Sequence, residues 1–286
     1  MIWMAASTVF YQTFGFFKEG LQFVNEYNKS LTELSIVYMK TQEQVEGLGE
    51  KIHDLSIQMG IATQEVAKGA VEFARQGLSQ EDTFRRMETA IKYAKISNLD
   101  FNTSARILTA TVNSMGVSAE HAADIFSFLG DSTATGADEI GEAFQRMGGT
   151  IGSTDIPFEK AASWIAVISS KTRESAYTIG NSVKSIVARM QSLKEKGFDE
   201  TDGTQVNQVA KSLASIGVQL VDNQGQFRNF GTVMDEIGTK WKTLDSRQRA
   251  YIATTLGGSY QQARLLNLME NYSESVDLYK ESLNQA

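Results

Sequence analysis

The chain has 286 residues, 42% of them hydrophobic and 21% charged, a globular composition long enough for one or two cores. It contains no cysteine, so disulfides, thiolate metal sites and cysteine nucleophiles are excluded. A net charge of −7 gives no broad electrostatic footprint for nucleic acid, and the single proline argues for helices broken by glycine and polar turns.

Residues 1–17 are rich in apolar and aromatic side chains, among them Trp3, Phe10, Phe14, Phe16 and Phe17. The stretch is shorter than the roughly 20 residues a bilayer span needs, and it lacks the basic leading region of a signal peptide. It is read as packing against sequence beyond this chain, with an interfacial membrane helix as the rival. From Val24 a seven-residue pattern sets in. Val24, Leu31, Tyr38, Val45 and Ile52 form one row, and Tyr27, Leu34, Thr41, Leu48 and Leu55 the row three residues on. The spacing predicts a long N-terminal helix over 1–57, either a coiled-coil seam or an amphipathic helix on the bundle that follows. Gly47 and Gly49 weaken the seam, each costing about 1 kcal/mol against alanine in a helix interior.

A further helix is expected over 60–77, with Val66, Ala70, Phe73 and Ala74 on its apolar face and Gly77 at its end. A repeat follows. Leu78-Ser79-Gln80-Glu81, Val117-Ser118-Ala119-Glu120 and Ile156-Pro157-Phe158-Glu159 share one pattern and stand 39 residues apart. At the same step Phe101, Ile140 and Ile179 correspond, as do Leu108, Met147 and Ile186. A fixed period of this length marks a chain built from one supersecondary unit. Each unit reads as an αα-hairpin whose first helix opens at an N-capping Ser79, Ser118 or Pro157, with a glutamate in the first turn. Gly141 and Gly180 sit where a small side chain lets two helices approach closely.

The polar, aperiodic run 194–204 is a linker. Beyond a short helix at about 205–215, Gly217-Val218-Gln219-Leu220-Val221 alternates, Asp222-Asn223-Gln224-Gly225 turns, and Gln226-Phe227-Arg228-Asn229-Phe230 follows, which predicts a small β-hairpin over about 217–230. Helices are expected near 231–242, 247–256 and 259–282, the last two flanking Gly257-Gly258. The fold class is therefore mainly all-α, an elongated array of αα-hairpins. Its parts are a long helical segment at 1–57, the hairpin repeats at 58–193, the linker at 194–204, and a helical subdomain with the β-hairpin at 205–286.

Little in the chain points to chemistry. His53 and His121 are the two histidines, and neither has a second ligand at metal spacing. Gly148-Gly149-Thr150-Ile151-Gly152 lacks the Lys-Ser/Thr ending of a phosphate-binding loop and reads as a turn between repeats. Asp138, Glu139 and Glu142, and the pair Asp235-Glu236, offer the carboxylates a hydrolase would need, but helical spacing makes them solvated faces. No catalytic, cofactor-binding or metal residue is assigned, no cofactor is expected, and the chain is read as a non-enzyme.

The ordered combination of elements resembles the core region of phage tail tape measure proteins of the TP901 type. The resemblance rests on Ala74-Arg75-Gln76-Gly77-Leu78-Ser79, Met115-Gly116-Val117-Ser118-Ala119-Glu120, the run from Ile216 to Gly225, and Ser246-Arg247-Gln248-Arg249-Ala250 through Thr255-Leu256-Gly257-Gly258. It covers roughly residues 20–275, and it departs at Gly257, where the family commonly has phenylalanine. The resemblance implies a structural protein that sets tail length in the tail lumen and leaves the tube on DNA ejection. Its implied partners are the tail tube protein, tail assembly chaperones and tip or baseplate proteins, with self-association through helical seams and membrane contact at infection. It implies a virion location after assembly in the host cytoplasm, and a native product longer than 286 residues. The competing readings are an α-solenoid adaptor for a protein partner and a peptidoglycan hydrolase domain.

Overall fold

The computed structural model describes residues 22–191 and 208–285. The apolar start at 1–17 and the linker at 194–204 lie outside the described residues. Among the described residues the chain forms thirteen helices and no strand or sheet, a mainly all-α fold. In chain order they are α1 (22–37), α2 (Gln42–Met59), α3 (Thr63–Ala74), α4 (Gln80–Ile96), α5 (Phe101–Met115), α6 (Ala119–Ser132), α7 (Ala137–Ile151), α8 (Phe158–Thr172), α9 (Ala176–Gln191), α10 (Gln208–Ala214), α11 (Phe230–Trp241), α12 (Ser246–Glu270) and α13 (Tyr272–Ser282). Two compact units result, one of Met1–Ala94 with Asp100–Ala105, the other of Lys95–Leu99 with Arg106–Ala286.

In the first unit the heptad rows do not run on as one helix. α1 stops at 37, and Met39 takes a left-handed conformation (φ 52°) while the Lys40 N–H closes on the Ser35 carbonyl. The chain then doubles back, and the Tyr27 hydroxyl donates to the Gly49 carbonyl at 3.0 Å with Leu31 against the same glycine. Leu34, Leu48 and Ile52 are buried. Part of the apolar seam is thus buried within the chain while Val24 stays exposed, and Gly49, a weakness in a coiled coil, is the bare backbone that admits the tyrosine. α3 runs alongside α1, held by Lys68–Glu26 and Arg75–Glu33 pairs at 3.0 Å. Gly69 faces the Phe101 ring so closely that any Cβ there would collide with it.

Helices α4, α6 and α8 begin at Gln80, Ala119 and Phe158, 39 residues apart, and each is followed by a second helix. The N-caps form as the sequence predicts: Ser79 Oγ accepts from the Asp82 N–H at 3.1 Å and Ser118 Oγ from the His121 N–H at 3.0 Å. Another pair, α2–α3, precedes them almost in step. Its signal is Thr41-Gln42-Glu43, which matches Ser79-Gln80-Glu81 but lacks the apolar lead residue, since Lys40 stands where Leu78 does.

In the second unit the hairpins α6–α7 and α8–α9 stack, so residues about one period apart meet. His121 contacts Glu159 at 2.7 Å, the Arg173 guanidinium donates to the Ala134 carbonyl, and the Gln191 amide donates to Ser153 Oγ at 3.3 Å. Gly180 is where α9 crosses α7, and a Cβ there would run into the Ala143 carbonyl oxygen. Phe126, Phe144 and Phe158 form an edge-packed cluster with centroids 5.0–5.6 Å apart. The glycine run near 148 is not a turn. It completes α7, because Gly148 must pass Ser114 Oγ, which a Cβ would approach to 2.7 Å.

The predicted β-hairpin is reduced to a single antiparallel bridge, Val221 with Phe227. The turn itself forms, with Asp222 Oδ1 accepting from the Gln224 and Gln226 N–H groups. Strands have no room to grow. Gly217 (φ 69°) is still capping α10, and Asn229 already caps α11 through the Thr232 N–H. The expected break at Gly257-Gly258 is a kink inside α12, where Gly258 takes φ 63° and ψ −177°, a conformation open only to glycine.

Candidate functional site

The most developed polar site lies in the second unit, in a cavity of about 580 Å³ walled by α8, α11, α12, α13 and the turn after α11. α8 is buried along most of its length, and Lys160 in its first turn reaches out at the edge of that core. Its ammonium group meets Asp235 Oδ2 of α11 at 2.5 Å and stands 5.1 Å above the Tyr279 ring of α13. The Tyr272 hydroxyl, at the start of α13, donates to the other Asp235 oxygen at 2.8 Å. Room for that tyrosine comes from Gly238 in the last turn of α11, where any Cβ would strike the ring. Opposite, Glu270 accepts from the Trp241 indole N–H at 2.9 Å and from Arg249 at 3.0 Å. Arg249 is fixed in turn by the Trp241 and Leu244 carbonyls, both at 3.1 Å.

Burial, then the charge and hydrogen bond of Asp235, push the Tyr272 phenol well above the ordinary tyrosine range, against a weaker pull from Trp164. Burial also raises Tyr279, with Glu159 and Asp235 adding to it. A phenol whose pKa is raised by folding holds its proton more tightly in the folded chain. Its stabilising contribution is therefore complete below the unfolded value of about 10 and is lost as pH rises beyond it. Thermal unfolding is expected to show a Tm that falls above about pH 10, with a shallower fall in Tyr272→Phe. An equally steep fall in that variant would take Tyr272 out of the linkage.

The structure separates the residues singled out for chemistry. His53 is exposed on α2, and His121 is paired with Glu159 against the Phe158 ring. Glu139 and Glu142 are exposed on α7 and Asp138 is half-buried beside them. Asp235 and Glu236 turn to different partners, Glu236 to a two-point contact with Arg228 at 2.5 and 3.1 Å that holds its carboxyl below the usual range. Among the described residues no group of three or more His, Asp or Glu could hold a metal ion. No helix among them is long and apolar enough to cross a membrane. The cluster of Lys160, Asp235 and Tyr272 was not foreseeable from spacing, since its members lie 75 and 37 residues apart. The one local hint was Gly238, a glycine within the last turn of α11.

These features define an all-helical protein of stacked hairpins whose polar groups tie helices together. The family model for phage-related minor tail proteins matches residues 49–258, and the chain belongs to that family. It is a structural component of a phage tail, associated with the virion and with other tail components. No solved structure matches the chain.

Proposed function

We propose that this chain is the folded core of a tail tape measure protein. In this reading it sets tail length, scaffolds the tube during assembly in the host cytoplasm and leaves the tube when DNA is ejected. Its partners would be the tail tube protein, the assembly chaperones and the tip or baseplate, and it would act without catalysis. The observation that carries the reading is the 39-residue helical hairpin, repeated within a chain of the minor tail protein family. A ruler built of whole units changes length in whole units, because each unit of such a stack depends mainly on its neighbours.

The test is tail length by electron microscopy in phage carrying an in-frame duplication of residues 117–155, which hold α6 and α7. Laid end to end as helix at about 1.5 Å per residue, the added unit lengthens tails by about 58 Å. A gain of about 10 Å or less, the thickness of one helix layer, assigns the region to a compact assembly domain with the ruler elsewhere. Absence of the native product from purified virions would remove the tape measure reading. The α-solenoid adaptor would then take its place, favoured by the stacking of α6–α7 on α8–α9.

A further inference from the structure

The 39-residue step runs back past the hairpins that carry the capping motif. Counted back from Ile179, Ile140 and Phe101 it reaches Ala62 and then Phe23. From Val183, Phe144 and Ala105 it reaches Val66 and Tyr27, and from Ile186, Met147 and Leu108 it reaches Gly69 and Ser30. Phe101, Ile140 and Ile179 lie in the first turns of α5, α7 and α9, the second helices of their hairpins. By this register α1 is a second helix too. Helices start at 42 and 63 in α2–α3 and at 80 and 101 in α4–α5, 21 residues apart, and 21 residues precede α1. Within those 21, Val9 falls at the step of Leu48, Met87, Phe126 and Ile165, all buried on first helices. Ala5 falls at the step of Thr83, Ala122 and Ala161, also buried. Gly20 stands 78 residues before Asn98 and 40 before Gly60, which make the left-handed turns (φ 52° and 65°) inside α4–α5 and α2–α3. Trp3 departs from the pattern, since Gln42, Glu81, Glu120 and Glu159 follow at its step.

Phe23 is 41% exposed, whereas Phe101, Ile140 and Ile179 are 3%, 0% and 0% exposed. Val24 and Ile57 are exposed at the same end of the first unit. There the Gln64 amide donates to the Phe23 carbonyl at 3.4 Å and the Ser56 and Thr63 hydroxyls meet at 2.8 Å, which joins the start of α1, the end of α2 and the start of α3. The apolar patch thus lies where residues 1–21 enter the described chain. We infer that residues 3–18 are the first helix of a further hairpin, with α1 as its second helix, and that this segment docks on Phe23, Val24 and Ile57. The tether selects it over a second copy or a lipid surface, because a segment joined directly to its site acts at an effective concentration of about millimolar or more. The register also fixes a contact. Phe126 and Phe144 meet in α6–α7 with ring centroids 5.6 Å apart, and three steps back they correspond to Val9 and Tyr27. The apolar character of residues 1–17 is then that of a repeat core, in place of a membrane contact or a face awaiting sequence beyond this chain. The inference does not depend on the length-setting role.

The test uses the full 286-residue chain in solution, by amide hydrogen exchange and by nuclear Overhauser contacts from labelled valine methyl groups. Amides of residues 5–18 are expected to exchange at least about tenfold more slowly than in a free peptide of that sequence, at a rate unchanged by dilution. A contact between the Val9 methyl groups and the Tyr27 ring is expected. V9D is expected to remove the protection of 5–18 while α8 keeps its own; if V9D fails to fold, the Val9–Tyr27 contact in the parent decides. Exchange at the free-peptide rate would overturn the proposal, as would protection without the Val9–Tyr27 contact. Protection lost on dilution would give the patch to a second copy, and protection seen only with anionic phospholipid vesicles would give it to a lipid surface, each overturning it as well. None of these results bears on tail length, so the added hairpin and the ruler fail separately.

Discussion

Trp164→Ala is expected to lower the stability of the second unit by about 3–5 kcal/mol. Trp164 lies in the middle of α8, is 1% exposed, and belongs to an unbroken run of buried residues from Ala161 to Ser169. α8 is enclosed by α6, α7, α9, α12 and α13, so the void left by the indole has no mobile wall to close it. The loss is a large share of the roughly 5–15 kcal/mol that holds a domain folded. Urea unfolding followed by far-ultraviolet circular dichroism measures it, with Trp164→Phe as the milder comparison. A Trp164→Ala variant within about 1 kcal/mol of the parent would show that the second unit is not built around α8.

Gly180→Ala is expected to destabilise by about 1–3 kcal/mol, the usual result of forcing atoms into a packed contact. The sign is the informative part. In a helix interior, alanine ordinarily gains up to about 1 kcal/mol over glycine. At Gly180 the new methyl group would collide with the Ala143 carbonyl oxygen and stand 3.0 Å from Arg146 Cβ, so α9 must move off α7. Gly149, on the exposed side of α7, has nothing within 4 Å of an added Cβ and serves as the opposite case. Gly149→Ala should raise the urea midpoint and Gly180→Ala should lower it. If both raise it, the close crossing of the two helices is absent in solution.

Much of this architecture was legible because helix starts are local. Ser79 and Ser118 cap through backbone N–H groups three residues away, so the sequence window contains the whole interaction. The same holds for the left-handed Gly77 after α3 and for the glycine pair at the α12 kink, where Gly258 takes a conformation that needs glycine's freedom. The readings that changed are those in which a local pattern has two tertiary solutions. A heptad row is satisfied equally by a partner chain and by a helix that doubles back, and Met39 at the reversal carries no mark in the sequence. The alternating run before Asp222 has the pattern of a strand, yet caps on both sides, at Gly217 and Asn229, leave one bridge.

The amino-acid sequence by itself determined the helical class, the 39-residue period, most helix starts and the absence of thiol chemistry, since each depends on residue type or on contacts within a single turn. Tertiary structure alone decided that the heptad segment doubles back so that Tyr27 meets Gly49, that units stack so that Ala134 and Arg173 meet, and that Lys160, Asp235 and Tyr272 share one cavity. Those contacts join residues dozens of positions apart. Their energy depends on burial and shape complementarity, which appear only once the helices have packed.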